Sequence, residues 1–203
     1  MAEGDKASDL ACDTSALPEQ YLDAQASQFN HDLDVLIICN LIFNDDRVLL
    51  YRTAGEPKSW KDKVGVPMFR LRRATDDSGL EGVLKSKVDQ VMSEDVSVEE
   101  YARVACRVQV GLDPARLQQS SSALALHTAV SSPLIEDSVW LRASLMWKIE
   151  DGVELKPDGH VCQETFWASS EAVEKLPEES FLMGIKPDIQ TALELRKRRL
   201  SLT

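Results

Sequence analysis

The chain has 203 residues, the usual length of one domain, and its 43% of hydrophobic residues is enough for a packed core. Its formal net charge of −11 argues against a nucleic-acid-binding surface, because phosphate backbones repel negative charge. No apolar run approaches the ~20 residues of a membrane span, and the first thirty residues lack a secretory signal. We therefore expect a cytoplasmic protein without membrane contact, whose four cysteines, in no CxxC pair, stay reduced.

The first part of the chain predicts an extension followed by a β-hairpin. Residues 1–30 are expected to form an N-terminal extension, partly disordered, with a helix near its end. Residues 35–43 form a continuous apolar run, which predicts a strand buried on both faces. An Asn-Asp-Asp turn and a second strand at 47–52 complete the hairpin. We expect residues 31–203 to form a single domain.

The middle of the chain predicts a short strand and two helices. A loop with Gly and Pro leads to Trp60 and a strand-like piece at 64–67. Apolar residues at helical spacing predict a helix over 79–93. A second predicted helix covers 98–110 and ends at Gly111, because glycine commonly terminates helices.

The last part predicts strands and then helices. Residues 117–133, rich in Ser and Ala, indicate a loop or a loosely paired strand. Residues 139–147 predict a strong strand, and 164–167 another. A short helix is expected over 169–176, and Lys-Pro opens a final helix over 186–200.

This order of elements resembles the Nudix superfamily. Residues 47–52 are similar to the strand before the family's substrate loop, and residues 60–67 stand where the family has Trp followed by Pro-Gly-Gly. Residues 153–160 and 166–171 are similar to a late segment of fungal Nudix sequences. The resemblance covers about residues 31–176. It implies an α/β fold, a Nudix-like α/β/α sandwich with a mixed central sheet and extra N-terminal and inserted helices.

The family's signature helix has the form G-x5-E-x7-R-E-U-x-E-E-x-G-U, where U is aliphatic. Its glutamates gather oxygen ligands for Mg²⁺, and the metal neutralises the diphosphate and activates the attacking water. Ending the signature at Gly111-Leu112 places these residues over R-E-U-x-E-E: Val104, Ala105, Cys106, Arg107, Val108 and Gln109. An earlier placement at 85–90 keeps only Asp89. We prefer the later one, which makes residues 76–94 an inserted helix.

On either placement the metal-binding glutamates are missing, and Gly159 replaces the glutamate expected before His160. Other acids nearby are more typical of helix starts and solvated faces: Asp76, Asp77, Glu94, Asp95, Glu99 and Glu100. The resemblance therefore implies a Nudix fold with a degenerate signature, no bound metal and no cofactor.

Four residues are candidates for catalysis. His160 comes from the family's late loop and is the first choice as general acid or base. Arg52 and Arg142 lie on predicted strands, where a guanidinium can hold a carboxylate, enolate or phosphate. Glu164 is a candidate for proton transfer. Six further residues are candidates for substrate contact: Trp60, Trp140, Tyr51, Asn40, His127 and Gln109. For each residue the alternative is an ordinary core or surface role.

The first functional hypothesis is a Nudix-fold enzyme repurposed for metal-independent isomerisation, cyclisation, rearrangement or elimination of a small organic molecule. The fungal character of the late segment suggests secondary metabolism. An alternative is a Mg²⁺-dependent hydrolase of a diphosphate with displaced ligands. A third is a non-catalytic protein that binds a ligand or a protein. The expected partner is a small-molecule substrate, and a homodimer is left open as an alternative to a monomer.

Overall fold

The computed structural model describes residues 13–54, 60–73, 89–92, 94–119, 125–131 and 139–200. Within these ranges nine strands form one mixed sheet: β1 Leu33–Asn44, β2 Arg47–Thr53, β3 Val64–Gly65, β4 Met68–Arg72, β5 Asp89–Val91, β6 Gln118–Gln119, β7 Ala125–Ser131, β8 Val139–Lys148 and β9 Cys162–Ala168. The α-helices are α1 Pro18–Phe29, α2 Val98–Val110, α3 Ser170–Lys175 and α4 Lys186–Leu200.

Strand β1 is the centre of the sheet. One edge of β1 pairs in parallel with β8. Its other edge pairs antiparallel with β4 near its start and with β2 at the hairpin. Beyond the hairpin β2 leaves β1 and pairs with β3 and β9. The apolar run of β1 is buried on both faces, as predicted, because helices cover both sides of the sheet.

Helices α1 and α4 lie on opposite faces of the sheet. On β7, the His127 ring bonds the Tyr21 hydroxyl of α1 at 2.7 Å, whereas the Thr128 hydroxyl donates to Asp188 of α4 at 3.2 Å. Neighbouring residues of a strand point to opposite faces, so these two contacts assign one helix to each side. Backbone bonds from the start of α2 to Thr14 and Ala16 hold α2 beside α1. The architecture is an α/β/α sandwich.

Helix α2 has well-defined ends. Ser97 caps it by accepting from the Glu100 amide at 3.2 Å, and the Glu100 carboxylate accepts from the Ser97 amide at 2.9 Å. The Ser97 amide and hydroxyl both donate to the Glu100 carboxylate and hold its pKa below the ordinary value. The helix ends at Gly111, whose φ is +65° and where a Cβ would lie 2.6 Å from the Lys156 carbonyl oxygen. Only glycine suits this position, where the β8–β9 connection crosses the helix end.

Several predicted elements are confirmed, including both hairpin strands, the strand over 139–147 and the helices over 98–110 and 186–200. The predicted helix over 79–93 is wrong at its end, because residues 89–91 form β5, parallel to β4; residues 74–88 lie outside the described part. The segment 117–133 contains a regular strand, β7. Strand β4 was not predicted. No described helix has the length and apolarity to cross a membrane.

Candidate functional site

On the placement of the signature preferred from sequence, its positions lie on α2 and carry mostly apolar side chains. Val104 and Val108 replace the arginine and a glutamate of the signature, and they are 42% and 53% exposed. Ala105 and Gln109 replace two more of its glutamates and are buried. Tyr101, one turn earlier, meets Phe69 of β4 edge-on, with 6.2 Å between ring centroids. This part of α2 presents methyl groups where the signature presents charge.

Two buried amides hold the backbone that leads into β4. The Gln109 side chain accepts from the Met68 amide at 3.0 Å and donates to the Met68 carbonyl oxygen at 2.6 Å. Asn40 on β1 donates to the Pro67 carbonyl oxygen at 3.0 Å and accepts from the Trp147 indole at 2.8 Å. We call Asn40 and Gln109 the amide clamp. It satisfies buried polar groups and ties α2, β1 and β8 to the segment that replaces Pro-Gly-Gly.

Within the described part of the chain, the residues do not fit the Mg²⁺ that the resemblance would imply. Asp158, the acid nearest to the missing late glutamate, accepts from the amides of His160, Val161 and Cys162 through one oxygen, at 2.9–3.0 Å. Glu99 pairs with Arg103 at 2.8 Å. The described residues contain no group of three or more His, Cys, Asp or Glu that could hold a metal ion. Asp76 and Asp77 lie outside those residues.

Three candidate catalytic residues lie at one end of the β2–β9 pair. Arg52 and Glu164 are cross-strand neighbours joined by an ion pair of 2.9 Å, with side chains 41% and 59% exposed. The Arg52 guanidinium lies over the Phe166 ring, 5.6 Å from its centroid. His160 is exposed in the turn that enters β9. A solvent-accessible acid, a guanidinium and an imidazole therefore share this end of the sheet.

Arg142 lies inside a buried network with Asp188. Its Nε and Nη2 donate to the two carboxylate oxygens at 2.9 and 2.8 Å, and its Nη1 donates to the Met183 carbonyl oxygen at 2.7 Å. The Ser144 hydroxyl also donates to Asp188, at 2.7 Å. Both charged side chains are more than nine-tenths buried. This network fixes the start of α4 to β8 and is separate from the Arg52–Glu164 pair.

Comparison with solved structures identifies the fold. The chain matches an Ap4A hydrolase from C. elegans with TM-score 0.55 and 10% identity over 83% of this chain and 99% of that one. It matches the M. smegmatis Nudix hydrolase RenU with TM-score 0.53 and 15% identity, over 82% and 86%. A NUDIX-family hydrolase from Clostridium perfringens matches with TM-score 0.50 and 12% identity, over 79% and 96%. The chain has a Nudix-like fold.

Comparisons at the level of sequence add nothing to this result, since neither a protein-family model nor a curated protein matches the chain. Identities of 10–15% to the solved structures establish the fold alone. The fold expected from the resemblance is confirmed, and the chemistry has to be argued from the residues.

The other residues predicted to touch substrate lie in or near the core of the Nudix-like fold. Trp140 is fully buried beneath the Arg70 guanidinium, which is 5.2 Å from its ring centroid, and Trp60 is half-buried. Tyr51 is fully buried beside Gly65, and its hydroxyl has no hydrogen-bond partner. Burial raises the pKa of this hydroxyl. Their roles in substrate contact stay predictions.

His127 and the thiols are buried groups with displaced pKa values. Burial lowers the pKa of the His127 imidazole to about 4, and its Nδ1 has no hydrogen-bond partner. Burial raises the pKa of Cys39 and of Cys162 to about 12, so neither thiol supplies a thiolate nucleophile at neutral pH. Both cysteines are free, as expected.

Sequence reasoning missed Asp158, Ser144 and Asp188. Asp158 precedes Gly159, whose φ is +72°, and an Asp-Gly pair is a turn signal that pointed to its role. Ser144 follows Arg142 at the spacing of one strand face, which indicated a shared polar partner. Nothing local indicated that this partner would be Asp188, at the start of α4.

Proposed function

We propose that this protein binds a small organic molecule beside α2 and transforms it by acid–base chemistry that uses no divalent cation. The observation that carries the proposal is the set of residues at the signature positions. Three of them are apolar, and the fourth, Gln109, uses both ends of its amide on Met68. Mg²⁺ prefers several oxygen ligands, usually with carboxylates among them. None of these four side chains is a carboxylate, and the one side-chain oxygen among them, on Gln109, already accepts from the Met68 amide.

The Arg52–Glu164 pair supplies the chemistry that the proposal needs. A carboxylate such as Glu164 can take up or return a proton, and a guanidinium such as Arg52 can stabilise the oxyanion that forms beside it. Both side chains are partly exposed, so a ligand can reach them. His160 is a second acid or base in the adjoining turn. Isomerisation, cyclisation, rearrangement and elimination all commonly involve such proton transfers.

The exposed side chains of Val104 and Val108 support an organic ligand over a metal–diphosphate complex. Apolar surface on α2 gains free energy when a hydrocarbon or aromatic group covers it, about 25 cal/mol per Å². A diphosphate would gain nothing from these methyl groups. A role in fungal secondary metabolism belongs to the proposal and rests only on the resemblance of the late segment, residues 153–171.

Calorimetric titration with Mg²⁺ and Mn²⁺ tests the metal-independent part of the proposal. We expect no saturable binding heat for the wild type. The double variant Val108→Glu/Gln109→Glu, which restores two signature carboxylates, is the matched comparison. Parallel assays with ADP-ribose and Ap4A as substrates should show no metal-dependent hydrolysis. Saturable metal binding by the wild type together with release of cleaved product would overturn the proposal.

A second candidate is a metal-dependent hydrolase with displaced ligands, favoured by one observation. The matched solved structures are described as hydrolases, and one is an Ap4A hydrolase. This candidate requires that carboxylates outside the signature hold the metal. It predicts turnover of ADP-ribose or Ap4A that depends on Mg²⁺ and is abolished by a chelator. The same two assays therefore separate it from the first candidate.

A further inference from the structure

The β2–β9 pair carries a β-bulge next to the Arg52–Glu164 ion pair. Arg52 lies opposite Glu164. The next residue of β2, Thr53, lies opposite Cys162, so Gln163 is an extra residue in β9. A bulge bends its strand and changes the direction of the side chains beside it, and bulges are common next to active sites. The irregularity therefore coincides with the acid and the guanidinium of the candidate site.

Arg52 has more hydrogen-bond donors than its described contacts use. A guanidinium carries five N–H groups. The Nε of Arg52 lies 2.9 Å from Glu164 Oε1, and within the described ranges Nη1 and Nη2 have no partner. The Phe166 ring, 5.6 Å from the guanidinium carbon, supports the group from one side. Nη1 and Nη2 therefore form an available planar fork, which matches two oxygen atoms lying side by side.

The charge of Glu164 limits which pair of oxygens suits this fork. A phosphate, a carboxylate and two carbonyl groups separated by one carbon all place two oxygens side by side. The first two are anions, which the neighbouring Glu164 carboxylate repels. Removing a proton next to a substrate carboxylate would also build a dianion against a single guanidinium. A 1,3-dicarbonyl group is neutral before the proton leaves and a monoanion afterwards, which one arginine can balance.

The strength of the base favours the same group. A carboxylate is a weak base, so it removes a proton fastest from a carbon that is already acidic. The carbon between two carbonyl groups is such a carbon, because the charge of its enolate is shared by two oxygens. Within the described residues the second carboxylate oxygen of Glu164 has no partner, so it is available for the transfer.

We propose that the substrate is a 1,3-dicarbonyl compound, whose two oxygens bind Nη1 and Nη2 of Arg52 while Glu164 removes the proton from the carbon between them. The inference rests on the proposed function and names its substrate class. The carbon–hydrogen bond breaks, the proton moves to the Glu164 carboxylate, and the electron pair spreads over the two oxygens as an enolate that Arg52 stabilises. Return of the proton to an oxygen or to the other face of the carbon completes an isomerisation without a co-reactant.

Hydrogen exchange at carbon tests the inference, with ethyl 2-methylacetoacetate as the probe in D₂O. Loss of the C2–H signal in proton NMR measures enolate formation. We expect the wild type to accelerate exchange by about 100-fold over buffer, the usual scale of general acid–base catalysis. The ketone 3-methylbutan-2-one, which lacks the second carbonyl group, should exchange at the buffer rate.

Variants of the pair separate binding from proton transfer. Glu164→Gln should lower kcat by about tenfold or more and leave KM nearly unchanged, because it removes the base. Arg52→Lys keeps the charge but loses the fork, so it should mainly raise KM. Arg47→Gln, at an exposed arginine of the same strand, is the control and should exchange like the wild type. Both side chains of the pair are partly exposed, and circular dichroism checks that each variant is folded.

Two results would overturn the inference: a wild type that does not exceed the buffer rate, or an Arg52→Gln variant that exchanges like the wild type. Repeating the assay with EDTA distinguishes this failure from failure of the proposed function. Acceleration that EDTA abolishes would contradict the metal-independent chemistry itself. No acceleration, together with no calorimetric binding of Mg²⁺, would contradict only the substrate class.

Discussion

On the α2 side of the sheet, the buried polar side chains include the neutral amides of Asn40 and Gln109, whereas on the α4 side they include the charged pair Arg142 and Asp188. Both sets tie a helix and strands together. Burying an amide with its hydrogen bonds satisfied costs far less than burying two charges, which are tolerated only when fully paired. The fold therefore keeps this buried ion pair on the α4 side of the sheet.

Two arginines of the Nudix-like fold, Arg142 and Arg52, differ in the same way in burial and pairing. Arg142, predicted from sequence as catalytic, donates three hydrogen bonds to Asp188 and Met183 and is hardly accessible. Arg52 makes one ion pair and is 41% exposed. A buried, saturated arginine holds the structure, and an exposed arginine with spare donors can bind a ligand. Four stability measurements test this contrast between buried and exposed polar groups.

The largest effect is expected at Asp188. Asp188→Ala leaves Arg142 buried without a counter-charge, which should lower the free energy of unfolding by about 3–5 kcal/mol. Urea denaturation measures the loss. The double variant Arg142→Met/Asp188→Leu removes both charges and should be clearly more stable than Asp188→Ala. A loss below about 1 kcal/mol in the single variant would mean that the pair does not lock α4.

His127 should make stability depend on pH. Its pKa is lowered to about 4 in the folded chain from 6.5, so the unfolded chain binds the proton more readily between these values. This contribution is complete above pH 6.5 and is lost as the pH falls towards 4, on the order of 3 kcal/mol in all. Denaturation at several pH values should show a shallower decline for His127→Gln than for the wild type. His31→Gln, at an exposed histidine, should keep the wild-type slope.

Placing a charge in the amide clamp should lower the free energy of unfolding more than removing its polar groups. Gln109→Glu removes the donor to the Met68 carbonyl and places a carboxylate against that oxygen, at a cost of about 1–3 kcal/mol. Gln109→Met keeps the volume, leaves two backbone groups unpaired and should also destabilise, by a smaller amount. Thermal unfolding ranks the variants. A Gln109→Met variant as stable as the wild type would show that the clamp contributes no stability.

Much of the fold was predictable because its signals are local. The apolar run of β1 predicts a buried strand, Ser97 and Glu100 form a capping box, and Gly111 marks the helix end. β5 was missed because three residues carry no periodic pattern, and their conformation depends on pairing with β4. β7 was recognised only as a loose strand for a similar reason, since its regularity comes from β8.

The candidate site also has features that the sequence predicts and features that depend on tertiary packing. The absence of signature carboxylates is a prediction that needs only the sequence, since the preferred placement sets Val104, Ala105, Val108 and Gln109 directly against the motif. The hydrogen-bond partners of the polar residues could not be predicted from the sequence. Arg142 and Asp188 are 46 residues apart and meet only because α4 returns across β8. Partners of this kind are set by tertiary packing, and no spacing rule predicts them.

The smallest effect is expected for the Arg52–Glu164 pair. Its two side chains are 41% and 59% exposed, so water screens the ion pair, and a double-mutant cycle should give a coupling of about 0.2–1 kcal/mol. Arg52→Gln, Glu164→Gln and the double variant, unfolded in urea, complete the cycle. A coupling as large as that expected for Arg142 and Asp188 would show that the Arg52–Glu164 pair stabilises the fold. That result would contradict its assignment to the candidate site. A small coupling means that a ligand can separate Arg52 from Glu164 at little cost, as the proposed acid–base role requires.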